Sequence, residues 1–172
     1  MNKKILQKPF LWNSLQTQGN QTLQFQKFVN CLMKDGKKQK AFSLASQSLR
    51  GAYEKLEKQQ PVQSGIHLSI MHLLSNAIEN VRPSVEVRSK KIAGISREIP
   101  CLVPLSRGQG LAIRWIIESA RGRKKTGGRS FSDHLAEEIL DAYLKKGNPR
   151  QKREYLHKTA ATNRAFLRYR WW

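Results

Sequence analysis

Apolar residues recur at intervals of three and four along most of the chain, and turn-forming residues interrupt the pattern. In "TLQFQKFVNCLMKDGKK", Phe25, Phe28, Val29, Leu32 and Met33 share one helical face, which Asp35-Gly36 ends. A second helix then places Phe42, Ala45, Leu49, Ala52, Tyr53 and Leu56 on one side. After Pro61, Ser64 is positioned to cap a third, where Leu68, Met71, Leu74, Ile78 and Val81 keep the stripe until Pro83. Met71 reads as core filling. A fourth opens at "SRGQ", with Ser106 and Gln109 spaced as a capping box. The "LAIRWIIESA" behind it leaves little room for polar groups beyond Arg114 and Glu118, which predicts the central helix, with Glu118 orienting Arg114. A fifth is expected from Ser130 or Ser132 to Lys146, with Phe131, Leu135, Ile139, Ala142 and Tyr143 inward and Gly147 as terminator. Asn148 and Pro149 suit the start of a sixth, marked by Leu156, Ala160, Asn163 and Leu167.

"VRSKKIAGISREIP", residues 87–100, breaks this periodicity. Val85, Val87, Ile95 and Ile99 show a partial period of two, Gly94 permits a tight reversal, and Pro100 closes the second arm. A basic β-hairpin over about 84–101 follows. Its apolar content is too thin to bury a sheet face, so it is expected to brace on a helix at its base and to take order at its tip from a partner. The fold class is mainly α: a single bundle of about six helices, the hairpin protruding between the third and fourth. Residues 1–21 read as a flexible basic arm and 22–172 as one domain.

Charge turns this scaffold into a binder. Thirty-two Lys and Arg against 12 Asp and Glu give a net +20, far beyond what solubility requires. The excess is +8 over residues 1–60, +2 over 61–105 and +10 over 106–172. A polyanion is implied, and nucleic acid fits because each phosphate neutralised releases counterions. Candidate phosphate contacts are Lys34, Lys37, Lys38 and Lys40 at the first joint. Arg107, Arg114 and Arg121, seven apart, lie along one edge of the fourth helix, and Arg114 remains a candidate beside its pairing with Glu118. Arg123, Lys124, Lys125 and Arg129 occupy the glycine-rich connector "RGRKKTGGRS". The last helix supplies Arg150, Lys152, Arg153, Arg164 and Arg168, and the hairpin Arg88, Lys90, Lys91 and Arg97. In "RYRWW", Tyr169, Trp171 and Trp172 either dock on the protein or stack on bases.

Other chemistries find little support. The connector mimics a nucleotide-binding loop only in part, since Gly128-Arg129 stands where glycine-lysine would continue and a helix precedes it. His67, His72, His134 and His157 match no zinc pattern, and Cys31 and Cys101 stand alone, so neither a metal, a cofactor nor a disulfide framework is expected. Glu137 and Asp141, one turn apart, are the strongest hint of a cation-dependent nuclease, but acids are scarce and suit intramolecular pairing. No stretch suits a membrane span, and the opening 21 residues lack both a secretory core and the arginines of an organellar presequence.

"FVNCLMKDGKKQKAFSLASQSL", "AIENVRPSVEVRSKKIAGISREIP", "LAIRWIIESARGR", "EEILDAYLKKG" and "KREYLHKTAATNRAFLRYR", in this order, resemble the small-subunit ribosomal proteins numbered seven. The resemblance covers nearly everything from about residue 25. It implies a six-helix bundle with a protruding hairpin, not a homo-oligomer, bound to the 3′ major domain of small-subunit rRNA beside neighbouring ribosomal proteins. It also implies that the hairpin lies near exit-site tRNA and the mRNA path. The ending and "EILDAYLKKG" look most like mitochondrially encoded plant or algal members, which implies a mitochondrial ribosome. Ala93-Gly94 replaces the family's common paired glycines at the hairpin tip. A free-standing helical regulator of RNA or DNA is the alternative.

Overall fold

The computed structural model describes residues 19–59, 69–123 and 130–171. Among them the chain forms α1 (Gly19–Leu32), α2 (Lys38–Gln59), α3 (Ile70–Val81), β1 (Val85–Ile92), β2 (Ile95–Leu102), α4 (Leu105–Arg123), α5 (Phe131–Tyr143) and α6 (Gly147–Thr162). A 3-10 helix, Asn163–Tyr169, follows α6 directly. The fold is therefore the expected α bundle with one antiparallel hairpin between the third and fourth helices. The helix α1 begins within the stretch read as an arm; residues 1–18, with the rest of that expectation, lie outside the described residues, as do Ser64, Leu68 and connector residues 124–129.

The helical stripes meet in one core. Phe25, Phe28, Val29 and Leu32 of α1 pack with Ala45, Leu49 and Ala52 of α2, and with Leu74, Ile78 and Val81 of α3. Met71 is part of this core. The most enclosed helix is α5, not α4: eight of its 13 residues are buried against seven of 19 in α4. It touches α2, α3, α4 and α6. Sequence periodicity understated it because its buried set includes polar Ser132, His134 and Glu138.

Helix ends differ from expectation where backbone chemistry overrides side-chain signals. At α4, Gly108 N–H already bonds the carbonyl of Pro104, so the helix starts ahead of the Ser106 box, and Gln109 instead accepts Lys27 Nζ of α1 at 3.4 Å. At the end of α5, Lys145 takes φ +59°, and the N–H groups of Lys145 and Lys146 close on the carbonyls of Ala142 and Asp141. This Schellman-type closure needs one left-handed residue, and lysine supplies it. Gly147 falls beyond it, at the start of α6.

The hairpin register pairs Val85 with Leu102 and Ile92 with Ile95, leaving a two-residue turn at Ala93-Gly94. Both turn residues have positive φ, +49° and +81°, the twist that suits a two-residue hairpin. The alternation read from the sequence is corrected by this register. Val85 and Val87 share one face with Pro100 and Leu102; Ile95 and Ile99 lie on the other, beside Glu86 and Cys101. The buried member of the first strand is Glu86, because guanidinium partners await it there.

A Cβ on Gly94 would meet nothing within 4 Å, so Gly94→Ala tests the backbone alone. We expect a loss of about 1 kcal/mol confined to the hairpin, read as faster amide exchange near the tip with an unchanged global melting temperature.

Candidate nucleic-acid interface

The hairpin is fastened at its base by one buried carboxylate. Glu86, only 8% exposed, accepts Arg107 Nε at 2.8 Å on Oε2 and Arg88 Nη2 at 3.1 Å on Oε1, while the Cys101 thiol lies 3.6 Å from Oε1. Burial alone would raise its pKa, yet the hydrogen bonds from Arg107 and Arg88 outweigh that and hold it below the usual carboxylate range. Burial, then the Glu86 charge, pushes the Cys101 thiol up. Arg107 sits in the first turn of α4, so this cluster ties the arm to the bundle.

A second cluster fixes the point where the connector leaves α4. Arg123, the last residue of that helix, reaches Glu138 Oε1 at 2.6 Å, Asp141 Oδ2 at 2.7 Å and Glu137 Oε2 at 3.5 Å, all on α5. Lys55 of α2 adds a 3.0 Å bond to Glu137. Glu138 is 1% exposed, and burial raises its pKa despite Arg123. The Glu137 and Asp141 pair, which a cation could have shared, is thus bridged by a guanidinium. Glu137 and Glu138 serve the intramolecular pairing expected of scarce acids.

The third cluster seats α6. The carbonyl of Asn80, in the last turn of α3, accepts Arg150 Nη1 at 2.8 Å and Arg153 Nη1 at 2.9 Å, completing the negative end of that helix. Its side-chain amide meanwhile donates to the carbonyls of Ala142 and Tyr143 at the end of α5. Burial and the positive charge of Arg150 lower the Arg153 pKa. Burial first, then Arg153 and Arg150, lower that of His157, whose Nε2 accepts the Ser84 N–H at 3.2 Å. Lys152 pairs with Glu118 at 3.1 Å, which corrects the expected Glu118–Arg114 pair: Arg114 Nε instead donates to the Gly110 carbonyl.

The structure therefore divides the sequence-derived cations. Arg88, Arg107, Arg123, Arg150, Lys152 and Arg153 each have an anionic or carbonyl partner within the protein. Lys90 and Arg97 lie over the rings of Trp171 and Phe166, and Arg168 over Tyr169. Lys37 makes only an exposed contact with Asp35, while Arg114 is exposed and bonded within its own helix. Lys34, Lys38, Lys40, Lys91, Arg121 and Arg164 are exposed and have no ion-pair partner among the described residues. Lys124, Lys125 and Arg129 lie outside the described residues. Sequence reasoning passed over Glu86, Asn80 and the Lys27–Gln109 link. Glu86 hid as a polar residue in strand alternation, and Asn80 resembled any helix-terminal asparagine.

Comparison with known proteins adds independent information. The model for the family described as ribosomal protein S7p/S5e matches residues 2–164, including most of the stretch read as an arm. The small ribosomal subunit protein uS7 of Beijerinckia indica is 41% identical over 145 residues, covering 84% of this chain and 85% of that protein. Its counterpart in Shewanella sediminis is 43% identical with the same coverage. The small ribosomal subunit protein uS7m of Prototheca wickerhamii is 47% identical over 105 residues, 61% of this chain and 47% of that protein.

Because the folded-state pKa of Glu86 is depressed, its stabilisation is present above the ordinary carboxylate range and is lost as pH falls through the folded value. Glu86→Gln should cost about 1–2 kcal/mol near neutrality, and this deficit should shrink on acidification. Urea unfolding across a pH series measures it; a deficit independent of pH would contradict the assignment.

Proposed function

The chain belongs to the ribosomal protein S7p/S5e family and has a structural role in the small ribosomal subunit; from that premise we propose that it binds the 3′ major domain of small-subunit rRNA and organises the head. The observation that carries this reading is the separation of cations into internally held and open sets. Lys34, Lys38 and Lys40 crowd the joint between α1 and α2, Arg121 stands at the end of α4, and Arg164 follows α6, none drawn inward by a carboxylate among the described residues. Such cations release counterions from phosphate without breaking the fold. With Lys124, Lys125 and Arg129 of the connector they form one composite rRNA surface. Arg107, Arg123, Arg150, Lys152 and Arg153 serve it mainly by holding the hairpin, the end of α4 and the last helix in place.

The hairpin, with Arg88, Lys90, Lys91, Gly94 and Arg97, extends toward exit-site tRNA and the mRNA path and positions RNA without reading bases. Neighbouring small-subunit proteins complete its surroundings, and the chain acts as one copy per subunit. We place that subunit in the mitochondrion. The 47% identity to the Prototheca protein, whose name carries the mitochondrial suffix, supports this compartment.

Footprinting on intact small-subunit rRNA tests the surface. Replacing Lys34, Lys38 and Lys40 with Gln should weaken protection, lower the salt dependence by roughly 0.7–0.9 per lost phosphate contact, and leave thermal stability unchanged. Arg123→Ala should instead destabilise the free protein by about 1–3 kcal/mol, since it leaves the buried Glu138 carboxylate without that partner. Equal protection of unrelated RNA, or a footprint indifferent to the lysine changes, would reject the composite site. For the compartment, mass spectrometry of purified organellar ribosomes should find the chain in mitochondrial small subunits; recovery solely in plastid ribosomes would refute that placement.

A further inference from the structure

The hairpin carries a conflict in its own register: Lys90 and Arg97 are direct cross-strand partners. Like charges directly opposite one another destabilise a strand pair, and a two-stranded ribbon is marginal even without that handicap. The remedy lies at the far end of the chain. After Thr162 the α-helix tightens to 3-10 winding, and at three residues per turn Asn163, Phe166 and Tyr169 line up along one side. This segment packs against β2. Asn163 Nδ2 donates to Glu98 Oε2 at 3.1 Å, and the Phe166 ring lies 5.1 Å from the Arg97 guanidinium carbon. Two residues past the 3-10 helix, the Trp171 ring lies 4.9 Å from Lys90 Nζ. Each member of the repelling pair thus rests on an aromatic face, whose negative quadrupole stabilises a cation.

We propose that Asn163–Trp171 is a splint built into the chain, which neutralises the Lys90–Arg97 repulsion and orders the hairpin before RNA is bound. The 3-10 winding is part of the device. An α-helical continuation would advance about 100° per residue and carry residues 163 and 166 progressively out of line, whereas the tighter turn delivers Asn163 and Phe166 in one ridge to β2. On the opposite face Asn163 touches only Glu98, and Ser89, Lys91 and Ser96 stay exposed. The arm's use in the subunit rests on the proposed function; the splint itself belongs to the free protein.

Hydrogen exchange on the full-length protein without RNA provides the test. In Phe166→Ala/Trp171→Ala, amides from Lys90 to Arg97 should exchange about tenfold faster while those of α2 to α5 keep their rates; unchanged hairpin rates would overturn the splint. Introducing the two aromatic changes into Lys90→Thr/Arg97→Thr should have a much smaller effect. A loss as large as in the native background would show that the rings do not act on the cations. Should the aromatic variant loosen the bundle too, Asn163→Ala replaces it, removing the bonds to Glu98 and to the Thr159 carbonyl of α6: faster exchange in β2 with α2 to α5 unchanged supports the proposal, and unaltered exchange in β2 overturns it. RNA is absent throughout, so a failed splint leaves the footprinting result standing and a failed footprint leaves the splint standing.

Discussion

Twelve carboxylates must serve 32 cations, and the placement of the few negatives decides which positives become part of the fold. Among the described residues, nine of them contact a lysine or arginine. The consequential ones are the least exposed. Glu86 joins the hairpin to α4 through Arg107, and Glu137, Glu138 and Asp141 together collect Arg123 at the connector's root. A buried carboxylate without such partners would pay its full desolvation penalty, so each guanidinium is held in place by the acid's need as much as by its own. Cations beyond the reach of these acids keep their charge for phosphate.

The scaffold was largely legible in the sequence because helix periodicity and core burial are the same fact seen twice. Phe28, Leu49, Ile78 and Ile139 were marked by spacing and are all enclosed. The hairpin was legible for a different reason, a local loss of helical period around Ala93-Gly94. Polar burial was not legible. Glu138 looks like an exposed helix residue until Arg123 is brought beside it, and that contact depends on how α4 and α5 pack. The candidate interface suffers from the same blindness: sequence counts a lysine and an arginine alike as available, whereas the fold engages many of the arginines and leaves the joint lysines open. Guanidinium geometry explains the bias, since a planar fork satisfies several acceptors at once, as Arg123 does.

The end of the chain was misread for a related reason. A helical stripe through Leu156, Ala160, Asn163 and Leu167 suggested one continuous helix, but of these four Ala160 alone is buried. Beyond it the bundle offers no surface, and the backbone rewinds toward the nearest apolar need, which is the hairpin. Of the terminal aromatics, Trp171 lies over a lysine of β1.

Asn80 links three helices through one residue, and the links lie 62 to 73 positions apart along the chain. A ribosome makes protein from the N-terminus, so α3 exists long before the arginines that complete its carbonyl end. During that interval water must occupy the Asn80 acceptor, and α5 arrives to claim the side-chain amide before α6 arrives to claim the carbonyl. Synthesis order thus imposes an assembly order on the bundle: the first five helices collapse around an end still hydrated, and the last one closes it by expelling that water.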